Sequence, residues 1–286
     1  MSKETIRNTA FTHPQLMELG IELLSWTQLQ PKLAQGPERV EFYMLLLVTS
    51  GRGRHKLDFI DHELHPGSLL FLRPGQVQEW QSESALEAGI ILIEPSALPQ
   101  AELSAAAGDG LALLHWPNFI GLGVQAFQEI GEGFAALQRD FDRFSGKPLD
   151  MALIRQQLLC LLIRVARLQQ GQQHPLSDRS GKTYRRFRDL LEQHYAEAHQ
   201  LSFYASRLGY AESTLSRACL RAEGRSAKVV IDRRIALEAK RLLAHSRASV
   251  GEIGLTLGFT ETTNFSKFFR RLEGITPQAF RQQRLA

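Results

Sequence analysis

Leu215-Ser216-Arg217 returns as Phe265-Ser266-Lys267, and Arg221 returns as Arg271, each at an offset of 50 residues. In both copies an apolar residue is followed by a short hydroxyl and a long cation. On a helix whose apolar positions turn inward, the hydroxyl and the cation turn outward. Short hydroxyls suit the edges of bases in a groove and long cations suit phosphates, so this pattern points to duplex DNA. Other chemistry is thinner. His55, His62 and His65 cluster in the sequence, yet no His-x-His pair occurs anywhere in the chain, and they read as solvated or capping histidines rather than metal ligands. Cys160 and Cys219 are the only cysteines, with no Cys-x-x-Cys, which predicts buried, reduced thiols and no metal knuckle. No convincing Ser-His-Asp or Cys-His set appears, so no catalytic residue, metal or cofactor is expected.

The elements that must carry the DNA chemistry form an internal repeat. Ala205, Gly209 and Tyr210 match Gly254, Gly258 and Phe259 at an offset of 49, which becomes 50 past the turn; Gly224 then matches Gly274, and Ser226 matches Thr276. A short helix, near 202–208 or 249–257, ends at a glycine able to adopt the left-handed conformation of a tight turn. The aromatic after it can plug the angle between two helices. Ala211-Glu212-Ser213-Thr214 and Thr260-Glu261-Thr262-Thr263 are polar runs with N-cap chemistry. Each opens a second helix whose Leu215 and Cys219, or Phe265 and Phe269, face inward. A helix over 226–244 joins the units and spans about 28 Å. One turn of DNA is roughly 34 Å, so the two second helices can enter successive major grooves on one face of the duplex. One helix-turn-helix pattern is weak evidence; two in register, joined by such a helix, leave little room for a plain bundle.

Charge follows the same division. Residues 1–181 hold 15 Lys and Arg against 20 Asp and Glu, a net of −5, and residues 182–286 hold 19 against 10, a net of +9. An acidic half joined to a basic half suggests that only the second meets a polyanion. Residues 171–181, rich in Gly, Pro and Ser, read as a linker between domains 1–170 and 182–286. Within 39–94, short apolar runs (Phe42 to Val48, Leu57 to Ile60, Leu69 to Leu72, Gly89 to Ile93) alternate with turn signals at Gly51-Arg52-Gly53 and Arg73-Pro74-Gly75, predicting a sandwich or small barrel. Residues 122–170 turn helical, and Met151, Ile154, Leu158, Leu161, Val165 and Leu168 make one stripe. Two readings stay open: the stripe packs on the barrel, or part of it forms a homodimer seam along helix 151–168. No apolar run approaches the roughly 20 residues of a membrane span. The N-terminus lacks a signal-peptide stretch, so a cytoplasmic protein is expected.

Gly258-Phe259-Thr260-Glu261-Thr262-Thr263-Asn264-Phe265-Ser266-Lys267-Phe268-Phe269-Arg270-Arg271, then Gly274-Ile275-Thr276-Pro277 and Phe280-Arg281, resembles the signature of AraC/XylS-type transcription regulators. Tyr204-Ala205, Leu208-Gly209, Leu215-Ser216-Arg217, Gly224-Arg225-Ser226-Ala227 and Glu238 to Leu243 continue the resemblance, which covers 182–286 and is nearest to members that respond to aromatic acids. It implies an α+β chain: an N-terminal cupin-like β-barrel with flanking helices that binds a small effector, and a C-terminal all-α domain of seven helices with two helix-turn-helix units. It places base reading on Ser213, Ser216 and Arg217, and on Thr262, Thr263, Ser266 and Lys267, with Arg221 and Arg271 completing the DNA-binding set. RNA polymerase is a further expected partner, at promoters the regulator activates. Gly254 departs from the usual alanine, and a mid-helix glycine costs about 1 kcal/mol; Asn264 stands where tyrosine is common.

Arg73-Pro74-Gly75-Gln76-Val77-Gln78-Glu79-Trp80 resembles the barrel hairpin of these regulators, with Gln78 where histidine is frequent. Alternation puts Gln78 and Trp80 on one strand face and His55, Leu57 and Phe59 on another, and Tyr43 joins them only if its face points inward. Tyr43, His55, Gln78 and Trp80 are thus the candidate effector residues, for a small and plausibly aromatic organic acid, with Arg52, Arg54 or Arg73 as the cation it would need. The competing reading is a metal-dependent cupin enzyme fused to a helical module, against which the missing His-x-His stands.

Overall fold

The computed structural model describes residues 7–9, 19–33, 36–81, 85–98, 113, 116–172 and 179–285. The chain divides between residues 174 and 175 into two compact units, the first mixed β and α, the second helical.

The first unit contains strands β1 (Arg7–Thr9), β2 (Ile21–Ser25), β3 (Glu38–Val40), β4 (Tyr43–Leu57), β5 (Ile60–Leu64), β6 (Ser68–Leu72), β7 (Val77–Trp80), β8 (Ala85–Ile93) and β9 (Phe119–Gly121), with a short helix α1 (Trp26–Leu29) after β2. Two helices follow, α2 (Val124–Phe141) and α3 (Pro148–Gln172). Strand β4 organises the unit. Its first half pairs with β6 and β8, its second half with β5 and β7, so one strand belongs to two sheets. The Gly51-Arg52-Gly53 segment, expected as a turn, therefore lies inside a 15-residue strand. The pairing with β8 slips between Val48 and Ser50, Gly51 takes φ +81°, and its missing Cβ admits the Ala85 carbonyl. The glycine bends a continuous strand from one sheet into the other. The reversal falls instead at Asp58 and Phe59, both with positive φ, where the sequence suggested an apolar run.

Alternation along β4 then builds two cores. Met44, Leu46 and Val48 join Val40, Leu57, Leu64, Leu70, Leu72 and Ile90 between the two sheets. Tyr43, Leu45 and Leu47 face the other way, with Phe71, Ile91 and Ile93, against α2 and α3. The stripe of α3 belongs to this second core: Ile154, Leu158, Leu161 and Val165 are buried within a single chain. Leu158 and Leu161 thus pack on the sheet and are not available for a seam between copies.

The second unit holds α4 (Arg179–His194), α5 (Leu201–Leu208), α6 (Glu212–Glu223), α7 (Ala227–His245), α8 (Val250–Thr256), α9 (Thr262–Glu273) and α10 (Pro277–Leu285). Its core collects Phe187, Leu191, Tyr204, Leu215, Cys219, Val230, Ile231 and Ile235. Helices occupy 171–172 and 179–181 of the span read as a linker; residues 173–178 lie outside the described residues. Among the described residues no helix is long and apolar enough to cross a membrane.

Candidate nucleic-acid interface and small-molecule site

Both helix-turn-helix units turn on a left-handed glycine, Gly209 at φ +68° and Gly258 at φ +79°. Phe259 then wedges among Phe265 and Phe268, with ring centroids 5.4 and 5.1 Å away. The polar runs after the turns do not cap: Ala211 and Glu261 occupy the N-cap positions of α6 and α9 without a side-chain hydrogen bond. Side-chain capping falls instead on the two helices between them, α7 and α8. Ser226 caps α7, and Ser249 and Glu252 form a reciprocal box on α8 that pulls the Glu252 carboxyl below its usual range.

The residues on α6 and α9 divide as an interface requires. Leu215, Cys219, Phe265 and Phe269 are buried, and burial pushes the Cys219 thiol up to about 12, so it packs as a neutral group. Ser213, Arg217, Arg221, Thr262, Thr263, Lys267 and Arg271 are exposed, and Ser216 and Ser266 half-buried. Arg271 is held by a buried carboxylate. Arg271 Nη2 donates to Asp232 Oδ2 at 2.9 Å, and Lys228 Nζ meets the other oxygen of that buried carboxylate at 2.6 Å. Arg271 thereby ties α9 to α7, satisfying a charge that would be costly alone.

The joining helix is anchored too. Arg234 reaches Glu192 on α4 at 2.7 Å and lies 3.7 Å from the Tyr195 ring centroid. Arg188 meets Glu223 at 2.6 Å, and Tyr184, its hydroxyl pushed up by burial, donates to the same carboxylate. Helices α4, α6 and α7 are therefore clamped by charge-assisted bonds as well as by the apolar core. At 19 residues α7 spans about 28 Å. Gly254 has a local reason: a Cβ there would sit 3.1 Å from Phe265 Cβ, so the larger aromatic occupies room that Ala205 and Leu215 share in the first helix-turn-helix.

In the first unit, three of the four candidate effector residues come together. His55 pairs with Trp80 and Leu57 with Gln78 across β4 and β7, while Glu38 faces Gln78 across β3 and β7. Gln78 Nε2 donates to Glu38 Oε1 at 2.9 Å, which leaves Gln78 Oε1 as the acceptor facing His55 Nε2 at 3.1 Å. His55 Nε2 therefore carries the proton. Burial holds the ring's pKa down to about 4, so it is neutral at physiological pH and its Nδ1 is an acceptor. That Nδ1 is buried without a hydrogen-bond partner, as is the Trp80 Nε1 donor. The two rings lie 4.3 Å apart, and Trp26 lies 4.6 Å from Trp80. An orphan acceptor and an orphan donor on adjacent aromatic rings match one hydroxyl group, which can serve both.

Tyr43 is elsewhere. It stacks on Phe71 at 5.9 Å on the helix-facing side of the sheet, where burial raises its hydroxyl's pKa. The expected cations are also committed or outside: Arg73 donates to the Trp116 carbonyl and to Asn118 Oδ1, Arg54 pairs with Glu63, and Arg52 is exposed. His62 stacks on Phe119 and His65 Nδ1 meets the Pro66 carbonyl; among the described residues, no three His, Cys, Asp or Glu side chains are grouped to hold a metal. Glu38 and Trp26 were missed from sequence. Alternation with the buried Val40 is the signal that would have turned Glu38 inward.

Residues 18–201 match the AraC-like ligand binding domain and residues 204–283 match a helix-turn-helix domain. The HTH-type transcriptional activator RhaS of Escherichia fergusonii is 25% identical over 269 residues, covering 90% of this chain and 92% of that protein. The regulatory protein PocR of Salmonella typhimurium is 31% identical over 93 residues, 32% of this chain and 31% of its own. Among solved structures, ToxT from Vibrio cholerae aligns over 92% of this chain and 98% of its own, at 11% identity and a TM-score of 0.42.

Proposed function

The chain belongs to the AraC-type DNA-binding transcription regulators with an N-terminal ligand-binding domain, and from that premise we propose which of its residues read DNA and what its first domain senses. Helices α6 and α9 enter successive major grooves. Ser213, Ser216 and Arg217 read the first, and Thr262, Thr263, Ser266 and Lys267 the second. Arg221 contacts backbone, and Arg271 positions α9 through Asp232. The observation that carries this reading is the split on α6 and α9 between a buried apolar face and an exposed face of hydroxyls and cations. The regulator works in the cytoplasm as an activator, alongside RNA polymerase, with residues 1–170 and 182–286 as its two domains.

The effector site is the Trp26, Glu38, His55, Gln78 and Trp80 end of the sheet interior. A buried carboxylate at Glu38, with Arg52, Arg54 and Arg73 outside or engaged, disfavours an anionic effector. A neutral, hydroxylated molecule suits the orphan pair better than an aromatic acid. Dimerisation uses the outward side of α3, where Leu149 and Leu153 are 82% and 47% exposed. Selection on random duplexes tests the reading of DNA: it should enrich two base clusters centred about 10 bp apart. No enrichment, or one cluster only, would reject the two-helix reading.

A further inference from the structure

A cleft of about 510 Å³ opens between the first turn of α4 and the turn joining α5 to α6. Part of it lies outside the matched helix-turn-helix region, because α4 ends at His194 and that match begins at residue 204. Its polar lining consists of hydroxyls and cations: Ser180 and Thr183 from α4, Tyr210 and Thr214 beside the turn, and Arg217 and Arg221 one helical turn apart on α6. Among the described residues no carboxylate lines it; Glu212, the acid in the first turn of α6, is exposed and outside the lining. The rim is basic as well. Arg186, exposed on α4, donates to the Tyr210 hydroxyl at 3.4 Å, and its guanidinium lies 6.0 Å from that ring's centroid. Several hydroxyl donors beside two guanidinium groups suit an anion with several oxygens.

We propose that this cleft seats a backbone phosphate of the same duplex that α6 reads, which makes α4 a third DNA-contacting element outside the two helix-turn-helix units. The inference rests on α6 entering a major groove. A helix lying there is walled by phosphates on either side, and an open cleft on its flank, lined by hydroxyls and cations, meets that wall. Arg221 and the Ser180 hydroxyl then fix how deep and at what angle α6 sits, while carrying no sequence information themselves.

Fluorescence anisotropy of the full chain on its selected duplex and on a scrambled one, across a salt series, tests this. Arg221→Ala, Arg186→Ala and Ser180→Glu should each weaken both duplexes by the same factor, about threefold to tenfold. Each should also lower the slope of log affinity against log salt by about 1. Replacing single phosphates by neutral methylphosphonates should then reveal one position that matters to the wild type and no longer to Arg221→Ala. Loss confined to the selected duplex would mean base reading and overturn the proposal, as would a methylphosphonate profile identical in wild type and variant. Saturable binding of inorganic phosphate to the DNA-free protein at constant ionic strength would assign the cleft to a free anion and overturn it too. Arg186 and Arg221 are exposed, so those variants carry the test even if Ser180→Glu misfolds. If Arg217→Ala relaxes specificity while all three variants keep wild-type affinity and slope, the cleft proposal alone fails. If Arg217→Ala changes nothing, the groove reading beneath it fails.

Discussion

Gly209 and Gly258 hold equivalent places in the repeat, yet replacing them by alanine should have unequal costs. Both are left-handed, at φ +68° and +79°. A Cβ on Gly209 would meet nothing within 4 Å, whereas on Gly258 it would lie 2.3 Å from the Ala196 carbonyl oxygen. The left-handed conformation costs alanine roughly 1–2 kcal/mol, and the stiffer unfolded chain returns about 0.4–1 of that. Gly209→Ala should therefore destabilise by about 1 kcal/mol. At Gly258 the carbonyl must also retreat by more than 1 Å to reach the 3.4 Å of ordinary contact. Overpacking of that kind adds about 1–3 kcal/mol, for a total near 3. Urea unfolding followed by far-ultraviolet circular dichroism measures the difference. All three tryptophans, Trp26, Trp80 and Trp116, lie in the first unit, so their fluorescence is an internal control that should not move. Equal losses for the two alanines would refute the role given to the Ala196 contact.

Three further expectations follow from the packing. His55 has a folded pKa of about 4 against an ordinary 6.5, so the unfolded chain binds the extra proton first. Stability of the first unit should then be lost as pH falls from about 6.5 to 4, by up to about 3 kcal/mol; His55→Gln should flatten that limb, and an unchanged slope would contradict the neutral, buried ring. Leu158→Asp should unfold the first unit, whereas Leu153→Asp should leave it folded and monomeric by light scattering; a folded monomer from Leu158→Asp would restore the seam the structure excludes. Gly254→Ala and Phe265→Leu should couple favourably by about 1 kcal/mol in a double-mutant cycle, and strict additivity would show that the glycine does not make room for the ring.

What was legible in the sequence was local. The left-handed glycines, the aromatic plug and the inward spacing of Leu215 with Cys219 and Phe265 with Phe269 lie within a few residues of one another, so the repeat exposes them directly. The first unit hid what depends on distant partners. Tyr43 faces the helices because β4 runs unbroken through Gly51, and a glycine pair reads as a turn until the second sheet that needs the bend is known. The stripe on α3 predicted a buried face but not its partner, which the sheet supplies within the same chain. Arg73 looked available for a ligand because Trp116 and Asn118, which accept from it, lie more than 40 residues away. The box of Ser249 and Glu252 was legible, as Ser-x-x-Glu before an apolar residue, whereas the polar runs after the turns carry cap-forming residue types without capping α6 or α9.

Each helix-turn-helix reads its own stretch of groove, and base-by-base affinity measurement tests this most directly. Arg217→Ala and Lys267→Ala should be titrated, with wild type, against the selected duplex and every single-base variant of it. Arg217→Ala should lose about 1–3 kcal/mol of discrimination within one cluster and leave the other intact. Lys267→Ala should relax a position about one DNA turn away and spare the first cluster. If both substitutions relaxed the same positions, or weakened every duplex equally, α6 and α9 would not be separate readers.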